Sequence, residues 1–115
     1  MRRLEQQLQQ AVIRYLQYAA HDCLFFHVPN NIPRGDARAK RIGGIMKSMG
    51  VMAGVADLLL FWRGGMGAIE LKSEKGKQTD SQRLFERQWV YFGGQYAICR
   101  SLDEVQRVLN EWREK

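Results

Sequence analysis

Hydrophobic positions recur along this chain at two periods, and the switching between them outlines its elements. Leu4, Leu8, Val12, Tyr15, Leu16 and Ala19 fall at helical spacing beside a glutamine-rich polar face, which predicts an amphipathic helix from Leu4 to about Ala20. Leu24 to Val28 reads as a strand, and Pro29-Asn-Asn-Ile-Pro33 ends it as a loop. In the basic segment from Arg34 to Met49, the Gly43-Gly44 pair argues against one unbroken helix.

Two short apolar runs follow, Asp57 to Trp62 and Gly67 to Lys72, divided by glycines in the manner of a β-hairpin. Thr79 with Gln82 forms a capping-box pattern opening a helix to Tyr91-Phe92, whose buried face is Leu84, Phe85, Trp89 and Phe92. Gly93-Gly94 stops it, and Gln95 to Cys99 reads as a further strand. Ser101 and Glu104 make a second box before a last helix carrying Leu102, Val105, Val108, Leu109 and Trp112. The order α-β-α-β-β-α-β-α predicts an α/β domain spanning 1–115, a mixed sheet of about four strands with helices on both faces.

Composition narrows the class. A chain of 115 residues, 45% apolar and 26% charged, fits a soluble globular domain and excludes a disordered one. Its net charge of +6 favours a polyanionic partner, since Lys and Arg neutralising phosphates supply most sequence-independent affinity for nucleic acid. Cys23 and Cys99 match neither a zinc spacing nor a disulfide framework, so reduced thiols in a cytoplasmic protein are expected. The longest apolar run is broken by Asp57 and Arg63, so no membrane span is expected. His21 and His27 read as core-edge or loop residues, and Met46, Met49 and Met52 as core filler or a dimer contact.

The chemistry lies in the hairpin. If Gly64-Gly65 is a two-residue turn, Asp57 stands opposite Lys72 and Leu59 opposite Glu70, so Asp57 and Glu70 are diagonal neighbours on one face, about 7–8 Å apart at Cα. A turn of three residues would send Asp57 to the other face, because alternate side chains point to opposite sides of a strand. Leu71 must point into the core, which leaves its carbonyl as a possible ligand. Two carboxylates and an amine are the minimum for cleaving a phosphodiester at neutral pH, where a divalent cation on hard oxygen ligands stabilises developing charge. A plain Glu70–Lys72 surface ion pair is the bland alternative. Glu5, at the border of the first helix's buried stripe, reads equally as an N-terminal charge favoured by the macrodipole. Arg34, Arg38, Lys40 and Arg41 form a candidate phosphate-contacting surface, and Lys75 and Lys77 could meet phosphates beside Lys72.

Together these blocks resemble a known family. Gly54-Val-Ala-Asp57, Ala68-Ile-Glu70-Leu-Lys72, Gly76-Lys77, Ser81-Gln82 and Gly93 to Arg100 closely resemble the virus-type replication–repair nuclease domain, VRR-NUC, a branch of the PD-(D/E)xK superfamily with a restriction-endonuclease-like core. The match runs from Glu5 to about Val105, in the stand-alone form seen in phages. It implies that Asp57 and Glu70 hold Mg²⁺ or Mn²⁺ with the Leu71 carbonyl, and that Lys72 orients the attacking water. It further implies that Gln82 lies against that lysine, and that Glu5 reaches the metal through an intervening water. The resemblance departs at Ala56, where the family often has proline, a residue that restricts the backbone but ligates nothing. The implied activity is structure-selective endonuclease cleavage of branched DNA in repair, resembling a Holliday-junction resolvase and working as a homodimer. The alternative from another class is a nucleic-acid-binding module that keeps the fold without turnover.

Overall fold

A computed structural model describes residues 3–29 and 35–114. The elements follow the expected order: α1 (Arg3–Ala19), β1 (Leu24–His27), α2 (Ala37–Ser48), β2 (Leu58–Trp62), β3 (Gly65–Leu71), α3 (Asp80–Tyr91), β4 (Gln95–Cys99) and α4 (Leu102–Arg113). The four strands lie in the order β1-β2-β3-β4, antiparallel except for the β3–β4 pair. That parallel pair requires a crossover, and α3 supplies it.

The period of two along the inner strands divides the molecule into layers. Leu58, Leu60, Ile69 and Leu71 point to one side, where they pack with Val12 and Leu16 of α1 and Val105, Leu109 and Trp112 of α4. Ala56 and Ala68 point to the other, under Phe85 of α3, with Leu59, Trp89 and Tyr96 around them. Each fully buried leucine contributes about 1.5–3 kcal/mol of transfer free energy. The same alternation puts Glu70 on the α3 side between two core-facing neighbours, as the pattern predicts.

The hairpin differs from its expected form in one respect. Trp62 pairs with Gly65 and Leu58 with Ile69, so the two turn residues are Arg63 and Gly64, not Gly64-Gly65. Gly64 takes the left-handed position at φ +92°, which a side-chain-bearing residue adopts at a cost, while Gly65 joins the strand. The register is therefore shifted by two, and Asp57 runs directly opposite Glu70 instead of Lys72. An even shift conserves the facing of every side chain, so the two acids still share one side.

Three further expectations need correction. Leu84 and Phe92, expected on the buried face of α3, are exposed, and Phe85 and Trp89 alone of that set pack on the sheet. α2 is continuous through Gly43-Gly44, and Gly43 is its buried residue, so the glycine sits where the helix faces the protein. Met49 and Met52 are exposed and fill no core. Arg34 lies outside the described residues, as does most of the 29–33 loop.

Candidate active site

Asp57 stands one residue ahead of β2, and its backbone still belongs to the sheet. Its carbonyl accepts the Val28 N–H at 2.9 Å, continuing the β1–β2 pairing. His27 Nδ1 lies 2.8 Å from that same carbonyl, and because a carbonyl only accepts, the ring must carry its proton on Nδ1. His27 is thus a support for Asp57. The Asp57 side chain replaces a missing rung of the ladder: Oδ2 accepts the Leu71 N–H at 2.7 Å. Since the N–H and C=O of one strand residue point to the same side, the Leu71 carbonyl also faces the Asp57 side.

Glu70 is the one buried charged residue among those described, 3% exposed. Lys72 Nζ stands 3.8 Å from its Oε2, and Gln82 Nε2 donates to that oxygen at 3.0 Å. Gln82 is held at both ends of its amide, for its Oε1 accepts the Thr79 N–H at 2.8 Å in a complete capping box. That double engagement settles which end of the amide faces Glu70. Gly54 explains how the start of α3 comes so near Asp57. At φ +84°, a Cβ on Gly54 would fall 2.2 Å from the Ser81 carbonyl oxygen and 2.7 Å from the Gln82 nitrogen.

The electrostatics of the pair are unfavourable for two anions. Glu70 is pushed up to about 8, first by burial, then by the charge of Asp57 and a hydrogen bond shared with it, against the pull of Lys72, with Glu5 adding repulsion. Glu70 Oε1 is buried and has no donor. Asp57, also an acceptor when ionised, can bond to Glu70 only if a proton lies between them. A small cation resolves this conflict as a proton does, and the hard oxygen set of Asp57, Glu70 and the Leu71 carbonyl fits Mg²⁺ or Mn²⁺. Among the described residues no group of three or more His, Cys, Asp or Glu side chains stands close enough to cage a metal ion. Asp57 and Glu70 are the two carboxylates that the hairpin gathers.

The hairpin and α3 therefore bring Asp57, Glu70, Lys72 and Gln82 together, and Glu5 of α1 is near enough to raise Glu70. Arg38, Lys40 and Arg41 are exposed along α2, and Lys75 and Lys77 on the loop after β3. Sequence reasoning passed over Tyr96. The parallel register sets it beside Ala68 on the acid-bearing face, where its hydroxyl accepts from Gln78 Nε2 at 3.1 Å, the amide that also reaches Glu86 at 2.8 Å. Burial above all, with smaller contributions from Glu70, Glu86 and Asp57 against the Gln78 hydrogen bond, pushes the Tyr96 phenol up to about 12. It also passed over Gln9, one turn beyond Glu5, whose Oε1 is buried without a partner. Their only sequence signal was position, two residues before Ile98 and four after Glu5.

Comparison with known proteins bears on the fold. No family model matches the chain, and no curated protein does. Among solved structures, one described as a VRR_NUC domain superposes with a TM-score of 0.63 at 16% identity, covering 93% of this chain and 95% of its own. A second, a VRR_NUC domain protein, gives 0.66 at 19% identity, covering 92% and 84%. The chain has the fold of VRR-NUC nuclease domains, an α/β architecture of one mixed four-stranded sheet with four helices.

Proposed function

We propose that this chain is a metal-dependent, structure-selective DNA endonuclease acting on branched intermediates. The observation carrying the proposal is the buried Glu70 carboxyl set against partly buried Asp57, an arrangement that costs stability unless a cation or proton neutralises it. When bound, Mg²⁺ or Mn²⁺ would neutralise charge growing on the scissile phosphate. Asp57, Glu70 and the Leu71 carbonyl would hold the ion, with Glu5 acting through a water. Lys72 orients the attacking water and stabilises charge at the phosphate. Gln82 keeps the Glu70 carboxylate turned toward that lysine.

The basic residues Arg38, Lys40, Arg41, Lys75 and Lys77 are assigned to phosphates, and Arg34 is assigned with them from the sequence. No base-reading motif is present, so DNA shape and backbone govern recognition. A homodimer acting on two strands of a Holliday junction fits the apolar surface left open. Leu24 and Phe26 on β1, Ile42, Ile45 and Met49 on α2, and Tyr91 and Phe92 at the end of α3 are all exposed. Among the described residues no helix is long and apolar enough to cross a membrane.

The test is cleavage of labelled four-way, flap and linear duplex DNA with Mg²⁺, comparing the native chain with Lys72→Ala. Cutting of branched substrates by the native chain, abolished in Lys72→Ala, is expected. Binding without cutting by either protein would leave a nucleic-acid-binding module instead.

A further inference from the structure

Arg100 follows β4, and among the described residues its side chain forms no ion pair. Its Nη1 donates to the carbonyls of Ser73 and Gly76 at 2.7 Å each, with the Glu74 carbonyl at 3.4 Å. These carbonyls belong to the turn that follows Lys72, which is itself closed by the Gly76 N–H on the Ser73 carbonyl at 3.0 Å. A single cationic nitrogen therefore gathers the acceptors of a turn that would otherwise rely on one backbone hydrogen bond.

That turn lies on the stem of Lys72. A Cβ placed on Gly76 would stand 3.2 Å from Ser73 Oγ, 3.4 Å from Lys72 Cδ and 3.5 Å from its Cβ, so the turn passes beside the lysine stem with room for little more than a methyl between them. Lys72 is accordingly 11% exposed at its side chain, whereas Lys75 and Lys77 of the same loop are open. One end of the device is anchored in the sheet and the other to α4. The Lys72 N–H donates to the Cys99 carbonyl at 3.1 Å, and the Arg100 N–H to Glu104 Oε1 at 3.0 Å in the first turn of α4.

We propose that Arg100 is a positioning residue for Lys72: by gathering the carbonyls of residues 73–76, it holds the turn down on the lysine stem and keeps the ammonium beside Glu70. Its catalytic meaning rests on the nuclease reading above; its structural content does not. Without the clamp the turn lifts, and Lys72 gains rotamers that carry its amine away from the acids.

The experiment uses the whole chain with Arg100→Gln and Arg100→Lys, and reads two quantities. The first is the rate at which an amine-acetylating ester modifies Lys72 relative to exposed Lys47, followed by peptide mass spectrometry without DNA or metal. Arg100→Gln is expected to raise it severalfold. Arg100→Lys is expected to stay near the native rate, because an ammonium carries three donors for the same carbonyls. The second is cleavage of branched DNA, where Arg100→Gln should lower kcat about ten- to hundredfold with KM little changed, and Arg100→Lys should recover most of it. Arg100→Met, which keeps the apolar stem, serves if Arg100→Gln does not fold. Unchanged Lys72 labelling in both Arg100→Gln, which loses the charge, and Arg100→Met, which loses every donor, or equal impairment by Lys and Gln at position 100, would overturn the proposal. Absence of cleavage by the native chain would overturn the nuclease reading instead, with labelling still deciding whether the clamp exists.

Discussion

The Asp57 carboxylate accepts the Leu71 N–H at 2.7 Å, so a side chain takes the place of a backbone rung where β2 has not yet begun and β3 still continues. The contact does two things at once. It satisfies a buried strand donor, and it fixes the first acid opposite the second. The remaining Asp57 oxygen is left to interact with whatever neutralises the pair.

Asp57→Asn separates those two roles. The amide oxygen still accepts from Leu71 while the charge beside Glu70 disappears. The variant is expected to melt at or above the native temperature at pH 8 in the absence of divalent ions. Cleavage should fall on the order of a thousandfold, the several kcal/mol that charge stabilisation at a phosphoryl oxygen supplies. Calorimetry and cleavage assays on one preparation check both halves. Loss of stability would mean that the Leu71 contact needs the ionised acid.

The raised Glu70 value predicts a pH-dependent stability whose sign follows from linkage. The folded protein holds the Glu70 proton up to about pH 8, whereas the unfolded chain releases it near 4.5, so the folded state binds more protons between these limits. This contribution is fully present below pH 4.5 and is lost as pH rises through about 8. In chelator, the melting temperature should fall across that window by on the order of 5 °C. Glu70→Gln should flatten the dependence, and Mg²⁺ at pH 8 should restore much of the loss by binding the folded state. A native profile unchanged by Glu70→Gln would remove Glu70 as its source.

Gly54→Ala tests the seam between the loop before β2 and the start of α3. The added methyl meets Ser81 and Gln82 backbone atoms, which cannot rotate away, at a positive φ that disfavours alanine. A loss of more than about 1 kcal/mol in denaturant unfolding is expected. Glu70 should also lose the Gln82 contact, detectable as a change in the pH dependence described above. Native stability in Gly54→Ala would show that α3 can shift without cost.

The basic face of α2 makes its own prediction. Arg38→Ala and Lys40→Ala should weaken binding to branched and linear DNA alike, and each should reduce the slope of log affinity against log salt by about 1. Fluorescence anisotropy at several salt concentrations measures this, with Lys72→Ala, which is expected not to cut, as background. An unchanged slope would place the DNA elsewhere.

Much of the element order could be read from local pattern, because helical and strand periods, Thr79 with Gln82, and the glycine stops are properties of neighbouring residues. The facing of Asp57 and Glu70 was also legible, since parity survives an error of two in register. Placement of the turn itself was not. Arg63-Gly64 and Gly64-Gly65 are both acceptable pairs, and the choice belongs to the whole ladder from Trp62–Gly65 to Leu58–Ile69. Gly43-Gly44 misled for a similar reason: intrinsic propensity disfavours glycine in a helix, but propensity is a local term and Gly43 is buried where α2 faces the protein.

By itself the sequence determined the secondary-structure order and the presence of two acids and a lysine on one side of a hairpin. Tertiary structure alone decided that Glu70 is buried against Asp57 with Glu5 near, that Gln82 reaches it, and that Arg100 reaches across to residues 73–76. The reason is that periodicity and capping act between residues a few positions apart, whereas desolvation and charge coupling depend on which distant segments share a volume. A parallel β3–β4 pair joined through α3 brings 70, 82, 96 and 100 into that volume, and no local rule specifies its register.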